Sequence, residues 1–301
     1  MRSPLDQLTR VFNISIGVLL GVSVLPLFLV HWIDSGTLMT GLKWNTPLIF
    51  LIQVILAIFY FRSERDIVVP MVAILLFPTA LLDLMRLLVD REAVHIFSIT
   101  SDHSSLLWAG SRIYHSFMLA LGLLALNYKN YWLNKIKLGL VLPATLGLAT
   151  FVFLLVLFGI QRFSLSPPTS HGLFTVDFFN LAALSILTVL AAPHFLRFTR
   201  SNLSLFDTAV VISVIPLIIT QCLTAFFSDT YGDAYHTAAF YTRFLGYLFP
   251  LVGLLASNIS IGISKHYTFE QLIDLQMLLE NKSKELEREN KERSLIQKRL
   301  Q

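Results

Sequence analysis

Charge is scarce in this sequence. Asp, Glu, Lys and Arg make up 14% of its 301 residues, where an ordinary soluble domain carries about 25%. That leaves too little polar surface to cover a core of this size in water, so a soluble enzyme is excluded. Cysteine is nearly absent: Cys222 alone allows no intramolecular disulfide and no cysteine-based metal cluster. The apolar runs lack the period-two alternation that a transmembrane barrel needs. No H-E-x-x-H, H-x-x-E-H, C-x-x-C-H or G-x-S-x-G pattern occurs, so the sequence nominates no metal, no haem or other cofactor, and no catalytic residue. His95, His103, His171 and His236 fall in connecting segments, where solvated histidines are expected.

What the chain does have is apolar length. Apolar residues account for 55% of it, and its mean hydropathy is +0.68. Apolar runs stand at about 11–33, 44–61, 68–89, 106–126, 138–160, 173–197, 206–228 and 239–262. Each approaches the ~20 residues that a helix needs to cross ~30 Å of hydrocarbon. The expected fold is all-α: a polytopic membrane helix bundle of about eight transmembrane helices. Arg2 and Arg10 ahead of the first run resemble a signal peptide. The length of that run predicts an uncleaved first span instead.

An even number of spans puts both termini on one side. Loops on that side hold Arg2, Arg10, Arg62, Arg65, Lys129, Lys135, Lys137, Arg197, Arg200 and Lys265, against Lys43, Arg91 and Arg162 on the other. This positive-inside bias predicts cytoplasmic termini. It also explains the net charge of +4 without a nucleic-acid partner; the lipid bilayer is the partner that composition implies.

A weak repeat runs through the chain. SRIYHSFMLALGLLALN (111–127) and TRFLGYLFPLVGLLASN (242–258) share an early Arg and a closing GLLA-x-N. Pro78 precedes Asp83 by five residues, and Pro216 precedes Gln221 by five. The pattern suggests two four-helix halves; low-complexity drift in Leu-rich helices is the alternative source of it.

Ionisable residues inside membrane spans are costly and need partners or water. Under this topology Asp83, Arg86, Arg112, His115, Asp177, Asn180, Gln221 and Arg243 all fall at one depth, toward the extracytoplasmic face, rimmed by His31, Trp44 and Asn45. Asp83 with Arg86, and Arg112 with His115, are i,i+3 pairs that share a helix face. One reading is a solvated pocket with surplus positive charge, suited to an unidentified small anionic or carboxylate-bearing ligand. The other is a set of interhelical salt bridges, Asp83 or Asp177 with Arg112 or Arg243, that fix packing.

The last run continues into a charged segment without Gly or Pro to stop a helix. With Leu272 at position a, that column reads Leu272, Leu279, Leu286, Arg293 and Leu300; the d column reads Leu275, Lys282, Glu289 and Ile296. This is a heptad seam with polar layers in its middle, the pattern of a marginal parallel homodimer. A single solvated amphipathic helix is the plainer reading.

KELERENKERSLIQKRLQ (284–301) resembles the connecting signalling helix of bacterial receptors. FRSERDIVVPMVAILLFPTALLDLMRLL, SLLWAGSRIYHSFMLALGLLALNY and the Arg243 span that runs into the tail resemble MASE-type membrane-associated sensor domains. Such domains precede GGDEF diguanylate cyclases and some histidine kinases. Some relatives carry D-x-x-H in the third span, where this chain has Asp83 followed by Arg86. The resemblance implies a dimeric, multi-pass sensor in the bacterial inner membrane, with 1–264 as sensor domain and 265–301 as signalling helix. The 301 residues contain no GGDEF signature, phosphoacceptor histidine or nucleotide loop. The expectation is therefore a non-enzymatic input module of a longer receptor. A small-molecule transporter or channel, and a membrane-embedded transferase, are the alternatives.

Overall fold

A computed structural model describes residues 4–29, 37–64, 66–90, 104–127, 140, 143–144, 146–148, 150–151, 154, 180–189, 204–228 and 234–300. Seven helices are named below: α1 (Pro4–Leu29), α2 (Thr37–Glu64), α3 (Val68–Asp90), α4 (Ser104–Asn127), α5 (Asn180–Val189), α6 (Leu205–Phe226) and α7 (Ala234–Leu300). Among the described residues there is no strand. The fifth expected run, 138–160, lies mostly outside the described residues, as do Asp177, His31 and most of the loop cations behind the orientation argument.

Among the described residues five helices are long and apolar enough to cross a membrane, those at Pro4–Leu25, Asn45–Glu64, Val68–Leu87, Leu205–Phe226 and within α7; Gly110–Leu126 and the described stretch α5 are shorter apolar helices. α1, α2 and α7 begin several residues before the apolar runs read from sequence, because polar residues there continue the backbone ladder. α3 opens where the Asp66 carboxylate accepts from the Val68 amide (3.0 Å). At the start of α6, Ser204 Oγ accepts from the Asp207 amide (3.2 Å), and the Asp207 carboxylate accepts from the Ser204 amide (3.4 Å). This reciprocal capping box satisfies donors that have no partner within the first turn of a helix. Pro47, Pro78, Pro216 and Pro250 sit inside helices, as neighbouring helices in lipid allow.

The chain divides into two compact units, Thr9–Asn258 and one made of Met1–Leu8 with Ile259–Gln301. In the larger unit α3 packs on both α2 and α4. A second core joins Phe12 and Ile16 of α1, Ala209 of α6, and Phe249 and Ala256 of α7. Between helices in lipid the apolar driving force is weak, so close backbone approach and buried hydrogen bonds carry specificity. Both occur here. A Cβ on Gly122 would stand 3.1 Å from Val72, and one on Gly253 would stand 2.5 Å from the Cβ of Ala209. These glycines are equivalent positions of the internal repeat. Gln53 Nε2 of α2 donates to the Tyr247 carbonyl of α7 (2.7 Å), and Asn258 Nδ2 of α7 donates to the Leu56 carbonyl of α2 (3.2 Å).

The faces of α1 and α2 turned away from this packing are apolar. Val11, Ile14, Val18, Leu25, Leu48, Leu51, Ile55 and Phe59 are exposed, a composition suited to hydrocarbon. In the smaller unit the described tail side chains are exposed, with Leu272, Leu275, Leu279 and Leu286 each more than half accessible. The side chains of Ile296 and Leu300 lie outside the described set. Gln276 with Glu280 (3.3 Å), and Lys282 with Glu285 (2.7 Å), form pairs along the helix itself.

Candidate functional site

Asp83, Arg86, Arg112, His115, Asn180, Gln221 and Arg243 are all buried in the larger unit, each with 5% or less of its surface accessible. They come from late α3, early α4, the described stretch α5, late α6 and early α7. At 1.5 Å of rise per residue, Asp83 and Gln221 stand about 11 and 8 Å before the ends of α3 and α6, and Arg112 and Arg243 about 12 and 14 Å after the starts of α4 and α7. Among them His115 lies about one turn further along its helix than Arg112, and Asp177 lies outside the described residues.

Two networks occupy this layer. The first is centred on Arg243. Its Nη2 lies 3.3 Å from Asp83 Oδ2 and donates to Ser111 Oγ at 3.0 Å. Ser111 in turn donates to Asp83 Oδ1 at 2.7 Å. Arg243 Nε donates to the Tyr247 hydroxyl, one turn along α7. This is a charge-balanced, hydrogen-bonded pair of the kind that burial demands. It joins α3, α4 and α7.

The second network is centred on Arg112. Its Nη1 donates to Thr224 Oγ1 (2.5 Å) and Gln221 Oε1 (3.3 Å), and its Nη2 donates to Asn180 Oδ1. Asn180 Nδ2 closes the ring by donating to the Thr224 carbonyl at 3.1 Å. The guanidinium is stacked 3.6 Å from the centre of the Trp108 ring, a favourable seat for a desolvated cation. Every acceptor here is a neutral oxygen. Among the described residues no carboxylate is paired with Arg112, and its Nε and the indole N–H of Trp108 have no acceptor.

Arg86 lies 5.9 Å from the Trp108 ring centre and 5.5 Å from that of Phe240. His115 sits deeper, with Nδ1 3.3 Å from Thr79 Oγ1 and its ring 4.9 Å from Tyr247. His236 corrects the sequence reading. It lies in the first turn of α7, 3% exposed, with its ring 4.2 Å from Trp108, because α7 begins several residues before its apolar run does. Among the described residues no group of His, Cys, Asp and Glu is arranged to hold a metal ion.

Ser111, Thr224, Trp108 and Tyr247 belong to the site but were not singled out from the sequence. Trp108 and Tyr247 stand four residues from Arg112 and Arg243, and Thr224 three from Gln221. The same i,i+3 and i,i+4 rule that paired Asp83 with Arg86 would have found all three.

The pairing across the repeat is the most informative relation. Arg112 and Arg243 are equivalent positions, as are Asp83 and Gln221. Each arginine reaches the post-proline polar residue of the opposite half: Arg243 to Asp83, Arg112 to Gln221. The two contacts correspond, except that one acceptor is a carboxylate and the other an amide.

These features define an all-helical chain with several helices of membrane-spanning length and composition, and a buried polar layer near one end of the bundle. Comparison with protein-family models, curated proteins and solved structures finds no match.

Proposed function

We propose that this chain is the membrane-embedded input module of a dimeric bacterial receptor. In this reading it has about eight spans, lies in the inner membrane with both termini in the cytoplasm, and resembles the MASE-type sensors. A ligand or membrane-derived stimulus acts on the layer around Asp83, Arg86, Arg112, His115, Asp177, Asn180, Gln221 and Arg243. The response passes along α7 to a homodimeric seam of Leu272, Leu275, Leu279, Leu286, Ile296 and Leu300, and so to a cytoplasmic cyclase or kinase domain.

One observation carries this reading. Arg243, tied to α3 and α4 through Asp83 and Ser111, stands on the same helix as the heptads, Ala234–Leu300. A change in how the first network holds Arg243 would therefore reach a seam whose polar layers, Lys282 and Glu289, leave it only marginally stable. Such an element is easily biased between two arrangements. Disulfide crosslinking in membranes tests this, with cysteines at Leu279 and Leu286 and Cys222 replaced by serine. Crosslinked dimers at both positions, with a yield that shifts in Asp83→Asn, are expected. Absence of any dimer would remove the basis of the receptor reading.

The cross-paired repeat and the intramembrane charges also fit a transporter. Solute flux into vesicles that is abolished by Arg112→Ala would favour that second reading.

A further inference from the structure

The two arginine networks correspond through the internal repeat, but they are not balanced alike. Arg243 meets the Asp83 carboxylate. Arg112 meets Gln221, the amide at the equivalent place, together with Thr224 and Asn180. The carboxylate that meets Arg243 thus has no counterpart at Arg112 among the described residues. A guanidinium buried without a countercharge is strongly unfavourable in a low-dielectric interior. Two N–H groups near the same spot also lack acceptors, Arg112 Nε and Trp108 Nε1. Both residues are about 1% exposed, lie one turn apart on α4 and are stacked face to face.

We propose that Arg112 and Trp108 form a binding site for a carboxylate, which supplies the negative charge that Asp83 supplies to Arg243. Arg112 Nε–H and the indole N–H donate to the carboxylate oxygens. A carboxylate fits because it offers two acceptor oxygens and one charge, the same chemistry as the side chain found at the equivalent position. It reaches the site either from water, as a short acid, or from the bilayer, as the head of an aliphatic acid. This deepens the proposed function, resting on its reading of the polar layer as the place where a ligand acts.

The test uses the full chain in nanodiscs of zwitterionic phosphatidylcholine, so that no anionic lipid occupies the site. Acetate, octanoate and inorganic phosphate are titrated by calorimetry, with thermal unfolding in parallel. Saturable binding of a carboxylate that raises Tm is expected. Binding of acetate marks a water-borne source, and binding of octanoate alone marks a lipid-borne one. Gln221→Glu places a carboxylate against Arg112 in cis; it is expected to raise the Tm of the unliganded chain and to weaken carboxylate binding by about tenfold or more. Trp108→Phe keeps the ring and removes the N–H, with a loss of about tenfold. Unchanged affinity in Gln221→Glu, phosphate binding in place of the carboxylates, or no binding to the wild type would each overturn the proposal. So would binding that appears only in Asp177→Asn, since Asp177 would then be the resident countercharge. Binding is read on the chain alone, so carboxylate binding without dimer crosslinks would sink the receptor reading and leave this site standing.

Discussion

One added methyl group at Gly253 should push α6 and α7 apart. Alanine there would place its Cβ 2.5 Å from the Cβ of Ala209, 3.1 Å from the Cα of Phe206 and 3.3 Å from the carbonyl oxygen of Leu205. Comfortable carbon–carbon contacts lie at about 3.5–4.0 Å, so the overlap with Ala209 is roughly 1 Å or more. Two of the three neighbours are backbone atoms, which cannot rotate away; relief requires displacing a helix. Overpacking of this kind costs about 1–3 kcal/mol. Helix propensity works in the other direction, since replacing a mid-helix glycine by alanine stabilises by about 0.5–1 kcal/mol. Gly17→Ala on α1 isolates that second term, because nothing lies within 4 Å of its added Cβ. The difference between the two variants is therefore the packing cost alone, expected at about 1–3 kcal/mol against Gly253→Ala. Equilibrium unfolding with SDS in mixed micelles, followed by tryptophan fluorescence, measures it. Equal stability of Gly253→Ala and Gly17→Ala would refute the close crossing.

Asp83→Asn leaves the Arg243 guanidinium buried without its partner and is expected to destabilise by about 3–5 kcal/mol in the same assay. Adding Arg243→Gln should recover part of that loss, a coupling readable as a double-mutant cycle. Ser111→Ala removes a hydroxyl that both donates to Asp83 and accepts from Arg243. A cost of about 1–3 kcal/mol is expected, with a changed crosslinking yield at Leu279 as the functional readout. Gly122→Ala meets only the Val72 side chain, at 3.1 Å, and should fall between Gly17→Ala and Gly253→Ala in stability.

The helical class was legible because it follows from the hydropathy and length of the apolar runs, and the place of Asp83, Arg112 or Gln221 along its helix follows from the regular rise per residue. Partner choice was not legible. The sequence allowed Asp83 to meet Arg112 or Arg243, and only the packing of α3 against α4, with α7 close by, selects Arg243. His236 was misplaced for a related reason. Hydropathy falls at Tyr235-His236-Thr237, but the helical ladder runs on through them, and the imidazole is buried by an aromatic neighbour from α4 that no local pattern announces. The heptad columns of the tail belong to a third case. They are explicit in the sequence, yet in a single chain those leucines face solvent, so their meaning depends on what meets them.

Ser111 and Arg112 are consecutive residues of α4, and one completes the Asp83–Arg243 network while the other anchors the Gln221–Thr224–Asn180 network. Neighbours in an α-helix point about 100° apart around its axis. A twist of α4 that draws Arg112 toward a new partner must therefore swing the Ser111 hydroxyl by the same angle. The two networks are anchored one peptide bond apart on α4, so a rigid rotation of that helix about its axis moves both anchors together.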